Sequence, residues 1–143
     1  LFPHWVICKY HVLEEARYYK SGGKKTRICI KDLVTVIEDV MVAYMQEVLE
    51  KAKEARLSID PGELESIACL IQEEEELICC TCDQAAIKLL AFMNLEGRSI
   101  SFGKALRSTG YQEKNILPRH WEKNFSEYIR EGKALRILHK KLT

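Results

Sequence analysis

Residues 60–110 constrain this chain most, because helix-start signals and short apolar runs alternate along them. Asp60-Pro61-Gly62-Glu63 opens a helix: Asp60 suits the N-cap, Pro61 the first helical position and Glu63 the reciprocal capping role. Leu64, Ile67, Ala68 and Ile71 carry the apolar face that follows. The acidic run 73–76 then reads as a solvated helix end. Residues 77–80, Leu-Ile-Cys-Cys, form a continuous apolar run of the kind a central parallel strand takes. Thr81-Cys82-Asp83-Gln84 begins the next helix, with Ile87, Leu90 and Ala91 facing inward. A short strand over 98–102 and a helix over 104–108 complete the stretch, with Gly110 as a stop. Such alternation predicts parallel strands with helical crossovers, hence a layered α/β domain.

The remainder is read by the same rules. Trp5, Val6, Ile7 and Cys8 suit a buried strand. Residues 10–19 read as a helix with Val12, Ala16 and Tyr19 on one face. Ser21-Gly22-Gly23 ends it, and Lys24 and Lys25 make the following loop basic. A short strand is expected over 27–31. Residues 32–56 carry a long helical pattern in which Val36, Val40, Tyr44 and Val48 recur every four residues, flanked by Leu33, Ile37, Met41, Met45 and Leu49. That broad stripe implies contact on two sides, with a second helix or with a partner subunit. From Pro118 a helical tail runs to a basic end at Arg136, Lys140 and Lys141.

At 143 residues the chain has material for one hydrophobic core. With 22 basic and 21 acidic residues its net charge is +1, so electrostatic preference must be local. The six cysteines lack paired zinc-type spacing, and Cys79, Cys80 and Cys82 crowd one apolar run. They read as reduced thiols, which implies a cytoplasmic compartment. No apolar run approaches the ~18 residues of a membrane span, and no signal segment opens the chain.

Three acids bear on chemistry. Asp83 follows the strand over 77–80, Glu63 sits in the first turn of its helix, and Glu15 flanks the apolar face of the helix over 10–19. Meeting at the carboxyl edge of a parallel sheet, they would hold a hard cation, Mg²⁺ or Mn²⁺, able to activate water. The same residues have plainer uses. Glu63 completes a capping box, Thr81 and Gln84 form a second, Asp83 then favours the helix dipole, and Glu15 is solvated.

Residues 11–16 (His-Val-Leu-Glu-Glu-Ala), 60–68 (Asp-Pro-Gly-Glu-Leu-Glu-Ser-Ile-Ala) and 77–86 (Leu-Ile-Cys-Cys-Thr-Cys-Asp-Gln-Ala-Ala) together resemble the PIN-like domain family, in its prokaryotic nuclease and toxin branch. The resemblance spans 1–110 and continues through Ser101. It implies a three-layer α/β/α sandwich with a mainly parallel sheet over 1–117, and a C-terminal helical extension over 118–143 packed on or beside it. The family's first strand, with its aspartate, has no counterpart here and is expected upstream of Leu1. By this resemblance Glu15, Glu63 and Asp83 are catalytic metal ligands and Thr81 a supporting hydroxyl; the basic Lys24, Lys25 and Arg98 are then candidates to hold RNA phosphates, or else solvated loop cations. The implied function is a metal-dependent endoribonuclease, the toxin of a toxin–antitoxin pair. The alternative is a non-catalytic PIN-like interaction domain, docking an antitoxin or a second copy through the helix over 32–56.

Overall fold

The computed structural model describes residues 6–8, 18–27, 35–37, 39–73, 77–108, 110, 112 and 116–143. Their element order is β1 (Val6–Cys8), β2 (Tyr18–Ser21), β3 (Lys24–Arg27), β4 (Thr35–Ile37), α1 (Val42–Glu54), α2 (Pro61–Gln72), β5 (Cys79–Cys80), α3 (Gln84–Phe92), β6 (Ser99–Ile100), α4 (Phe102–Arg107) and α5 (Glu122–Leu142). Single 3₁₀ turns precede β6 and α5.

Helix α3 explains the architecture. Ala86, Ile87, Leu89, Leu90, Ala91 and Phe92 are all buried, and four consecutive residues cannot lie on one face of a helix. A helix apolar all round must be enclosed on several sides. Here α1 and α2 contribute Val48, Ala52, Ala55, Ile67, Ala68 and Leu70 to a common core with Ala86, Leu89, Leu90 and Phe92, while α5 lies along α3 and adds Leu135.

The expected three-layer sandwich is therefore corrected, and the PIN-like resemblance with it. Among the described residues the strands form three separate two-stranded ladders: β1 with β4 in parallel, β2 with β3 antiparallel, and β5 with β6 in parallel. The described residues are mostly helical. The β5–β6 ladder pairs only Cys79 with Ser99 and Cys80 with Ile100, and Leu77 and Ile78 stay outside it. A two-residue ladder offers no broad face on which helical layers could stack.

Two local expectations also change. The helix expected over 32–56 shortens to α1, since Thr35, Val36 and Ile37 pair in parallel with Val6, Ile7 and Cys8. A β-branched Thr-Val-Ile run suits a strand better than a helix. Tyr18 and Tyr19, expected at the end of a helix, pair with Arg27 and Thr26. Gly22 and Gly23, at φ 56° and 78°, form the two-residue turn of that hairpin, which places Lys24 and Lys25 on a strand. Two successive positive φ angles are the requirement of a tight hairpin turn, and glycine meets it without strain.

Helix ends are fixed locally. Gln72, in the last turn of α2, accepts from the Met41 amide at 2.8 Å and donates to the Asp39 carbonyl at 3.2 Å, tying the entry of α1 to the exit of α2. Past α1, Arg56 adopts φ 56° while the Leu57 amide reaches back to the Ala52 carbonyl at 2.9 Å. Asn94 ends α3 in the same way, at φ 65°, with the Leu95 amide on the Leu90 carbonyl at 2.7 Å.

Candidate functional site

A cavity of about 180 Å³ opens at the carboxyl end of β5, between the first turns of α2 and α3. Gly62, Glu63, Ser66 and Ile67 line it from α2, Cys79 and Cys80 from β5, and Thr81 and Ala86 from beyond the strand. Glu63 and Thr81, both expected at a site, are thus brought together. The Ser66 hydroxyl donates to the Gly62 carbonyl at 2.8 Å and stays committed to its own helix.

Asp83 has a structural task. It is the N-cap of α3, and its Oδ1 accepts from the Ala86 amide at 2.8 Å. Thr81 Oγ1 accepts from the Asp83 amide at 3.1 Å, which shapes the approach to that cap. The expected box of Thr81 with Gln84 is replaced by this arrangement. At α2, Asp60 is the N-cap without a side-chain cap bond. Glu15 lies outside the described residues. Among the described residues, no three His, Cys, Asp or Glu side chains are grouped as metal ligands.

Burial pushes the Cys79 thiol up to about 12, with Cys80, Glu63 and Cys69 adding to the effect. Burial, then Cys82, pushes Cys80 to about 11. Both stay protonated near neutral pH, and a thiol is a poor nucleophile and metal ligand compared with its thiolate. The cavity offers one carboxylate, hydroxyls and neutral thiols, in a volume below the ~300 Å³ typical of small-molecule pockets.

The expected phosphate-binding cations are dispersed. Arg98 donates to the Glu73 carbonyl at 2.8 Å and to the Leu77 carbonyl at 3.4 Å, bracing the exit of α2 against the approach to β5. Lys24 and Lys25 are exposed on the β2–β3 hairpin. The chain matches no protein-family model, no curated protein and no solved structure. The endoribonuclease and toxin reading rested on the PIN-like fold, and a mostly helical chain with two-stranded ladders withdraws that foundation.

A second feature, which the sequence reading passed over as a basic tail, lies on α5. The middle of this helix is fixed against α3. A Cβ added at Gly132 would stand 2.7 Å from the Ala91 Cβ and closer still to the Lys88 carbonyl oxygen, so only glycine permits this approach. Arg136 donates to the Ala91 carbonyl at 2.9 Å and to Asn94 Oδ1 at 2.7 Å, covering the end of α3. His139 sets its ring edge-on to Phe92, centroids 5.6 Å apart, with Nε2 3.5 Å from a Glu54 carboxylate oxygen. Alongside and after these clamping residues, Ile137, Leu138 and Leu142 are 54, 56 and 85% exposed, with exposed Lys140 and Lys141 before the last of them. The signal was present in residues 132–142, Gly-Lys-Ala-Leu-Arg-Ile-Leu-His-Lys-Lys-Leu, as an apolar set with basic residues and no acid.

Proposed function

We propose that the chain is an interaction domain that docks a partner polypeptide through the last turns of α5. One observation carries this reading: Ile137, Leu138 and Leu142 stand mostly in solvent at the end of a helix that Gly132, Arg136 and His139 hold in place. Apolar residues scattered singly need no explanation, whereas a contiguous set is the usual mark of a contact surface. Helix-in-groove recognition uses anchors spaced in this manner, and Leu138 and Leu142 stand four residues apart on one stripe. The clamp has already fixed the helix, so docking need not spend free energy ordering it.

A photo-crosslinking amino acid at position 138, in cells making the full chain, tests this reading. Adducts with a polypeptide are expected at 138 and not at exposed Lys123 near the other end of α5, and Leu142→Asp should suppress them. Equal adducts at both positions, or none at 138, would sink the proposal.

A further inference from the structure

The net charge of +1 conceals a segregation of sign. Between Asp39 and Glu50 the chain carries Asp39, Glu47 and Glu50 and no Lys or Arg, with Lys51, paired to Glu54, and exposed Lys53 following only in the last turn of α1, whereas residues 132–142 carry Lys133, Arg136, Lys140 and Lys141 and no acid. Each segment also exposes large apolar side chains. Met41 and Val42 are 60 and 67% exposed at the start of α1, and Leu49 lies seven residues beyond Val42 on the same side of that helix. The chain thus bears an apolar face fringed with acids and another fringed with bases.

On α5, Lys133 and Arg136 are engaged with Glu96, at 3.3 and 3.4 Å. Lys140 and Lys141 are exposed and have no ion pair among the described residues. The same holds for Glu47 and Glu50 on α1. These four charges flank the two apolar faces and are open to a partner.

We infer that the end of α5 docks on the outer face of α1 in a second copy of this chain, with Ile137, Leu138 and Leu142 against Met41, Val42 and Leu49, and with Lys140 and Lys141 facing Glu47 and Glu50. This rests on the docking reading above and names its partner. Opposed charges favour this register, and like charges disfavour α5 against α5. When two copies exchange the contact reciprocally, both faces of both copies are covered and the assembly closes as a pair.

Other occupants fit less well. Glu127, paired with Arg130, and Glu131, paired with Lys88, lie eleven and seven residues before Leu138 on the same side of α5, so that side presents no purely basic face to a flat anionic lipid surface. Single-stranded nucleic acid stacks on aromatic rings, and in the last turns of α5 the only ring is His139, already set against Phe92.

Sedimentation of the purified full chain across micromolar concentrations tests the inference. The unmodified chain is expected to dimerise. The paired changes Lys140→Glu with Lys141→Glu, or Glu47→Lys with Glu50→Lys, should each weaken the dimer about tenfold or more. Mixing the two charge-reversed chains should restore a mixed dimer, a recovery that mere damage to the fold would not give. All four residues are exposed, and unchanged thermal melts of each variant serve as the folding control. A strict monomer would overturn the second copy as partner, and a dimer indifferent to both reversals would overturn the contact of α5 with α1. Should adducts at position 138 still form with another polypeptide in that case, docking through α5 stands and only its partner changes.

Discussion

Two stretches of one helix behave in opposite ways. Around Gly132, α5 approaches α3 so closely that a single added carbon meets Ala91 and the Lys88 carbonyl. A turn further on, Ile137 and Leu138 stand more than half exposed. Helix propensity does not separate them, because glycine is the poorest helix former in this segment apart from proline and yet marks the tightest contact. What separates them is whether a neighbouring helix is present. α3 ends at Phe92, and Ile137, Leu138 and Leu142 remain 54, 56 and 85% exposed near that end. Buried close approach serves stability, and the exposed apolar end of the same helix is left for recognition.

That contrast can be broken at its strongest point first. Gly132→Ala should destabilise the chain by about 1–3 kcal/mol, since overpacking at a backbone contact outweighs the gain in helix propensity. A melt at or above that of the unmodified protein would show that α5 does not sit against α3 as described. Asp83→Ala, at the N-cap of α3, should cost about 1 kcal/mol in denaturant unfolding. Asp83→Asn should recover most of that loss, because an amide oxygen also accepts from the Ala86 amide. No recovery would mean that the aspartate does more than cap.

The link between α5 and the turn after α3 is open to titration. Partial burial pushes the Glu96 carboxyl up, but a backbone hydrogen bond together with Lys133 and Arg136 outweighs it and holds the group below the ordinary carboxylate range. A depressed carboxylate contributes stability that is present above its unfolded pKa of about 4.3 and is lost as pH falls through the lower folded value. The difference in melting temperature between the unmodified chain and Glu96→Gln should therefore be greatest near neutral pH and close in acid. A difference that widens in acid would contradict the described ion pairs.

The smallest effect is expected at the exposed end. Leu138→Ser should change monomer stability by no more than about 0.5 kcal/mol, as surface substitutions usually do, while suppressing association. A loss of several kcal/mol would show that Leu138 belongs to the core, and would remove the distinction between the two stretches.

Several elements were legible before the structure. Asp60-Pro61 starts α2, a helix follows β5 from within residues 81–84, and the tail from Pro118 carries a helix; each rests on local capping and backbone chemistry. The Gly22-Gly23 turn was legible too, because two adjacent glycines between polar runs signal a hairpin, and taking them as a helix stop missed it. Parallel pairing of Thr35–Ile37 with Val6–Cys8 was not legible, since no local rule joins two short strands that far apart in the chain.

At the cavity, the chemistry of Glu63 and Thr81 could be read from residue type, but their juxtaposition depended on α2 and α3 starting at the same edge of β5. Asp83 was read as a ligand or a first-turn residue, with Thr81 as the cap, whereas the helix begins two residues later and makes Asp83 the cap. Two residues of shift decided between those roles.

Sequence alone determined the start of α2 at Asp60-Pro61 and the presence of a helix after β5 and in the tail, because capping groups and prolines act within a few positions of the chain. It also determined that residues 87–92, apolar at nearly every position, must be enclosed. Tertiary structure decided what encloses them, since a short apolar run satisfies a sheet or a helical core equally well until its neighbours are in place. It likewise decided that Gly132 is a contact and Leu142 a surface, a difference that depends on packing partners remote in sequence rather than on either residue's own chemistry.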